Sequence, residues 1–264
     1  ALGKFSVAPP YFNLLFVPLT LLLLFFMGIG PATNWKKQSV DVILLPLRKV
    51  LLAAVIIAIA LPLAFFGNWP WQVGLTVGLC AWVFGSQLVD IARKSQNAST
   101  RIKGLSRLTR SYWGMQLAHL GLLVTVLGVA FTSAYSIEKD VRLAPGESIT
   151  VNGYAFRFDG VKDHQGPNHV AQRGTLEVSH DGFVEVLHPE KRIYRVQQNP
   201  LTEAAISGNA FRDLYVALGE PLDAGAWAVR IYHKPMIRWV WFGALMMALG
   251  GLLSILDKRY RLKV

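Results

Sequence analysis

Cysteine is almost absent from this 264-residue chain: Cys80 is the only one, and it lies within an apolar run. With no C-x-x-C there is no dithiol redox chemistry, and with no C-x-x-C-H there is nothing to tether a heme covalently. Cys80 reads as small hydrophobic filler. Acidic residues are also few, 16 against 27 Lys and Arg, for a net charge of +11. The basic residues stand beside apolar runs, which is the signature of membrane topology rather than of a nucleic-acid partner. No nucleophile elbow, P-loop or dinucleotide fingerprint occurs, nor any internal repeat or low-complexity tract.

What the chain has is apolar length. Hydrophobic residues make up 53% of it and the mean hydropathy is +0.37, values that fit an integral membrane protein. Five segments approach the ~20 residues a spanning helix needs. They are Tyr11–Gly30, about Val50–Phe66, Trp71–Ala92, Tyr112–Phe131 and Met236–Leu256. Pro18 and Pro62 fall inside the first two, where neighbouring helices can satisfy the freed backbone. Tyr11, Trp71, Trp113, Trp239 and Trp241 sit at span ends, as interfacial anchors do. The chain begins with Ala1, not Met, and no signal-peptide cleavage pattern precedes the first apolar run. It is expected to be a processed form or the C-terminal part of a longer protein.

Charge orients the spans. Lys36, Lys37, Arg48 and Lys49 separate the first two. Arg93 to Arg110 carries six basic residues between the third and fourth, and Lys258 to Lys263 follows the fifth. These three regions are expected to be cytoplasmic. The short link Gly67–Pro70, the N-terminal Ala1–Pro10 and the long stretch Thr132–Pro235 then fall outside. Asn97-Ala98-Ser99 matches a glycosylation pattern but lies on the cytoplasmic side. The basic loop could also touch anionic lipid heads.

Thr132–Pro235 changes period. Ser148–Val151, Tyr154–Phe158 and Thr175–Val178 alternate as strands, and Asp213–Leu218 and Ala226–Tyr232 read as later ones. Pro145-Gly146, Asn152-Gly153, Asp159-Gly160 and Asp181-Gly182 cut the runs with turn chemistry, His180-Asp181-Gly182 turning a hairpin. The reading is an α-helical integral membrane protein of five spans with one small extramembrane all-β domain, a barrel or sandwich, between the fourth and fifth. Its divisions are a four-helix region 1–131, a β-domain 132–235, and a last helix with a basic tail 236–264. The final strand runs through Lys234-Pro235 straight into the fifth span.

One residue stands out in the spans. His119 lies inside Tyr112–Phe131, far from the nearest charge, Arg110. An ionisable group at bilayer depth usually faces a partner, a cavity or a cofactor, and a neutral imidazole is a good iron ligand. At 100° per residue, Gly114, Ala118, Gly121, Thr125 and Gly128 form a small-residue stripe suited to close helix contact. His119 falls on the opposite face with Tyr112, Met115, Gln116, Leu123 and Val126. Spacing alone leaves two readings open: a heme ligand, or a hydrogen bond to a neighbouring helix, the commoner case. The other histidines, His164, His169, His180, His188 and His233, all lie in the extramembrane stretch. His164-x4-His169 is a loose pair in a Gly/Pro/Asn loop, short of the ligand number a metal site needs; surface or turn positions account for these residues.

Several segments resemble a known family. They are Ser6-Val7-Ala8-Pro9-Pro10-Tyr11-Phe12-Asn13, Gly28-Ile29-Gly30-Pro31 with Trp35-Lys36, and Arg110-Ser111-Tyr112-Trp113-Gly114-Met115 leading to Leu117-Ala118-His119-Leu120-Gly121. Pro200-Leu201-Thr202-Glu203-Ala204-Ala205-Ile206, and Lys234-Pro235 before Trp239-Val240-Trp241, complete the set. Together they resemble the C-terminal part of the cytochrome c maturation heme lyase of the CcmF type. The resemblance implies a protein of the bacterial inner membrane, with its β-domain in the periplasm and its C-terminus in the cytoplasm. It implies a role in reducing heme and attaching it to the C-x-x-C-H thiols of apocytochrome c. Implied partners are a heme-carrying periplasmic chaperone, apocytochrome c, other maturation membrane proteins, the missing N-terminal portion of the same lyase, and membrane lipids, with no nucleic acid.

The implied cofactor is heme b. By motif His119 matches one of its two axial histidines, so His119 is the one cofactor and iron ligand assigned, and no catalytic residue is assigned. The second ligand is not in this chain. Nor does the chain match the family's tryptophan-rich periplasmic segment, since Asn68-Trp69-Pro70-Trp71 is only an interfacial turn, or its two external histidines. Alone it is not expected to complete the reaction. A rival reading is a non-catalytic membrane scaffold whose β-domain docks maturation partners. A solute transporter is disfavoured by the lack of paired intramembrane charges.

Overall fold

The computed structural model describes residues 9–33, 40–66, 70–96, 100–196 and 198–257. The basic residues at 36, 37 and 258–263, most of the link 67–70 and the tripeptide 97–99 lie outside them. Contacts divide the chain into two units, one of helices and one spanning Phe131–Arg238.

The helical unit contains α1 (Pro9–Ile29), α2 (Val40–Phe66), α3 (Trp71–Ser95), a short α4 (Arg101–Ser106), α5 (Arg110–Tyr135) and α6 (Ile237–Ile255). Five of these are long and apolar enough to cross a membrane. The expected spans are all present, but α2 starts ten residues earlier than its apolar run, because an N-terminal helical extension carries Arg48 and Lys49. The basic loop contains a helix, α4, that hydropathy does not reveal; the Thr100 hydroxyl caps it by accepting from the Lys103 amide.

α3 is the central helix, with 44% of its apolar stretch buried against 11–22% in the others. Small residues let its neighbours close in. The Trp82 indole lies across Gly28 of α1 and donates to the Phe25 carbonyl at 3.1 Å. Gly78 and Gly85 receive Ala58 and Val50 of α2. Leu24, Leu47, Ala54, Cys80, Val83 and Leu123 form the buried cluster between them. The outward faces of α1 and α2, such as Leu14 and Phe16 of α1, stay exposed, as lipid-facing helices require.

α5 and α6 pair through the small-residue stripe. Gly114 and Ala118 meet Gly250, and Gly121 and Thr125 meet Gly243. The Thr125 hydroxyl donates to the Val240 carbonyl at 3.2 Å. At the end of α6, the buried Asp257 carboxylate accepts the Ser111 amide at 2.8 Å, placing negative charge at the α5 N-terminus.

The second unit is a two-sheet sandwich of ten strands: β1 (Ile137–Leu143), β2 (Ser148–Val151), β3 (Tyr154–Gln165), β4 (His169–His180), β5 (Phe183–Leu187), β6 (Glu190–Tyr194), β7 (Pro200–Glu203), β8 (Ala205–Gly208), β9 (Arg212–Pro221) and β10 (Trp227–Pro235). One antiparallel sheet runs β1-β10-β9-β8. The other runs β2-β3-β4-β6-β7, with β5 pairing the remaining stretch of β4. Alternate residues point inward, so Phe156, Phe158, Leu176 and Val178 face Leu214, Val216, Leu218, Val229 and Ile231, as in other sandwiches.

Asn152-Gly153 and Asp181-Gly182 make two-residue hairpins with both φ angles positive. Asp159-Gly160, expected to end a run, does not: β3 continues through it to Gln165, and the pair is a bulge between Phe158 and Gly160, with Gly160 at φ 112°. Both a turn and a bulge call for this backbone region, so the dipeptide alone does not separate them.

Candidate functional site: the seam between α3 and α5

The face of α5 that carries His119 packs on α3. Tyr112, Gln116, His119 and Leu123 recur at helical spacing, as do Cys80, Val83, Gln87 and Asp90 on α3. Two contacts fix their antiparallel register. At one end the Tyr112 hydroxyl donates to Asp90 Oδ2 at 2.7 Å. At the other the Cys80 thiol lies 3.9 Å from the Leu123 carbonyl. His119 falls between them.

Asp90 was not singled out by the sequence and is the strongest polar feature of the seam. It is 6% exposed, and its Oδ2 also accepts from Lys94 Nζ at 3.0 Å and Gln116 Nε2 at 3.4 Å. Lys94 spans the Tyr112 ring at 4.5 Å. The signal available in the sequence was an acid inside the third apolar run, four residues before a lysine. A buried carboxylate without such partners would be strongly disfavoured.

His119 itself is half-buried. Its Nδ1 is sealed from solvent and has no hydrogen-bond partner among the described residues. Gln87 Nε2 and Gln116 Oε1, on the same seam, are likewise unpartnered. The bond from Nδ1 to a neighbouring helix, the commoner reading of an intramembrane histidine, is therefore not formed among them. A half-open imidazole on a seam lined by apolar Val83 and Leu123 fits a group that supplies iron and an apolar surface from outside this chain.

The extramembrane histidines are less superficial than expected. His233 and His169 are 6% and 8% exposed. His233 contacts Asn152 at 3.1 Å, and burial, aided by the nearby Arg212 charge, pushes its pKa down. His164 and His169 stand on β3 and β4 rather than within a loop, because the strands extend to a three-residue connection, 166–168. No group of three or more His, Cys, Asp or Glu able to hold a metal occurs among the described residues.

Five apolar helices and a β-sandwich inserted before the last define an integral-membrane protein with an extramembrane β-domain. Residues 134–235 match the family model described as CcmF C-terminal beta-sandwich. The chain is 50% identical over 263 residues to the cytochrome c-type biogenesis protein CcmF of Pseudomonas fluorescens, covering 99% of this chain and 40% of that one. It is 41% identical over 264 residues to the protein of the same name from Escherichia coli K12, covering 100% and 40%. A solved structure of a cytochrome c heme lyase CcmF shares the fold, with a TM-score of 0.78 and 22% identity over 94% of this chain and 41% of that one. The β-sandwich thus matches the CcmF C-terminal family model, and the whole chain is similar to the C-terminal two fifths of CcmF-type cytochrome c biogenesis proteins. It spans 40% of the length of these curated relatives.

Proposed function

We propose that this chain is the C-terminal portion of a heme lyase of cytochrome c biogenesis, and that His119 is an axial ligand of a b-type heme held within the membrane. The observation that carries the reading is the His119 imidazole, lodged in the α3–α5 seam with Nδ1 buried and unpartnered among the described residues. The names of the relatives, cytochrome c-type biogenesis proteins and a heme lyase, agree with it.

When bound, a b-heme supplies one-electron redox chemistry tuned by its surroundings. The residues of this chain do the positioning. His119 offers a neutral nitrogen. Val83 and Leu123 keep the seam apolar and exclude water. The Asp90–Tyr112 bond fixes the rotation of α5 about its axis, and hence the direction of the ring. The second axial ligand comes from the part of the lyase outside this chain.

In this reading, residues 1–131 and 236–264 are the membrane part, and 132–235 form a periplasmic domain facing the heme chaperone, apocytochrome c and maturation partners. The C-terminus is cytoplasmic, as the basic clusters favour. A b-heme held by His119 would supply reducing power toward the iron of an incoming heme, whose vinyl groups add the apocytochrome thiols.

The test is to co-purify the chain with the missing N-terminal portion, with and without His119→Ala, and record a reduced-minus-oxidised spectrum. The variant should lose the b-heme bands or shift them. An unchanged spectrum removes the assignment and leaves the scaffold reading, in which deleting 132–235 abolishes partner capture while heme content stays intact.

A further inference from the structure

The β-domain contains a cleft of about 730 Å³ where the β4–β5 hairpin faces β8 and the start of β9. Charges of both signs line it. Arg212 and Arg238 bring guanidinium groups to it, and Asp181 and Glu185 bring carboxylates.

Arg212 is held by neutral acceptors only. Its Nε donates to the Tyr154 hydroxyl at 3.1 Å and its Nη1 to the Ser207 carbonyl at 2.9 Å. It lies over the Tyr154 ring at 4.7 Å. No carboxylate pairs with it among the described residues, and its Nη2 remains uncommitted. Arg238 uses Nε on the buried Asp213 at 2.8 Å, and its Nη2 reaches across Gly208, where any side chain would collide with it. Asn209 spends its carbonyl oxygen on the Phe211 and Arg212 amides, which leaves its amide N–H groups free to donate.

Ser207 sets the spacing of opposite charges. Its Oγ donates to Glu185 at 2.5 Å and accepts from Arg212 Nη1 at 3.1 Å. A cation and an anion binder thus sit side by side in one cleft, bridged by a hydroxyl instead of being paired directly. Arg238 is also the second residue of α6, a helix apolar enough to span a bilayer. Phe183, 54% exposed, adds apolar surface to the lining.

We propose that this cleft binds a phosphoethanolamine headgroup, with the phosphate on Arg212, Arg238 and Asn209 and the ammonium on Glu185 and Asp181. Arginine forks suit phosphate oxygens. A primary ammonium has three N–H donors for the carboxylates, which choline lacks. The proposal does not depend on the heme reading.

The test uses the full chain in nanodiscs of equal parts phosphatidylethanolamine, phosphatidylcholine and phosphatidylglycerol, followed by delipidation and mass-spectrometric counting of retained lipid. Phosphatidylethanolamine should be retained about tenfold over phosphatidylcholine, the scale of one charge-assisted hydrogen bond. Arg212→Gln should remove the retention. Glu185→Gln keeps an acceptor for Ser207, so the fold is preserved; it should abolish only the preference over phosphatidylcholine. Circular dichroism of each variant checks folding. If soluble O-phosphoethanolamine displaces the lipid, the headgroup alone is recognised, and if it binds while no lipid is retained, the ligand is the free zwitterion. A preference for phosphatidylglycerol, equal retention of all three lipids, or unchanged variants would overturn the proposal.

Discussion

Gly121 of α5 and Gly243 of α6 cross so closely that a methyl on Gly121 would stand 2.6 Å from the Gly243 carbonyl oxygen and 2.7 Å from the Met247 nitrogen. Backbone is the obstacle on both sides, so no side chain can rotate away. The contact is what small residues achieve where lipid removes the hydrophobic drive for helices to associate.

Gly121→Ala should therefore destabilise the helical unit by about 1–3 kcal/mol, the usual cost of overpacking. Gly251→Ala is the control, because a methyl at that position would have nothing within 4 Å of it. There the better helix propensity of alanine should leave stability unchanged or raise it by up to ~1 kcal/mol. Thermal unfolding of both variants in the same detergent distinguishes them.

Tyr112→Phe removes one hydrogen bond to a buried carboxylate. About 1.5–3 kcal/mol is expected, since Lys94 and Gln116 still hold Asp90. Asp90→Ala strips all three partners at once and should cost more than Tyr112→Phe. If His119 holds a b-heme as proposed and α5 rotation orients its ring, both variants also shift the heme spectrum of the chain co-purified with the N-terminal portion of the lyase. A spectrum identical to the parent in both would mean that the Asp90 cluster serves stability alone.

Phe156 is completely buried at the centre of the sandwich, packed with Phe158 and Leu176. Phe156→Ala should cost about 3–5 kcal/mol. Loss of the β signal in circular dichroism at lower denaturant concentration, with the helical signal retained, is the expected outcome.

His233 gives the β-domain a pH dependence. Its folded pKa lies below the ordinary 6.5, mainly through burial. The unfolded chain therefore binds the proton first. The domain should be most stable above pH 6.5 and lose stability as pH falls below it, until the folded ring also titrates. Glu190 adds a second loss at lower pH. Although burial alone would raise its pKa, bonds from Arg192 and Arg173 hold it below 4.5. Denaturant midpoints measured across pH should slope through the histidine range, and His233→Gln should flatten that slope while leaving the acidic loss.

Much of this was legible before folding. Five apolar lengths predict five long helices, and the alternation of Phe156 and Phe158 predicts their shared inward face. The stripe Gly114–Ala118–Gly121–Thr125 predicts a close helix partner, because only small residues permit backbone contact. Asp90 was missed because hydropathy averages one acid into an apolar run, and its compensation comes from Tyr112 and Gln116 on another helix. His169 and His233 look like surface residues in sequence, yet the sandwich buries them. Burial depends on which strand lies opposite, and local pattern does not carry that information.

β1 leaves α5 and β10 enters α6 as hydrogen-bonded neighbours, with Ile137 opposite His233 and Leu143 opposite Trp227. The excursion of about a hundred residues between two adjacent helices thus departs and returns through one narrow doorway. Such an arrangement lets a whole folded module be exchanged, lengthened or excised at its stem without pulling apart the glycine-lined helix pair.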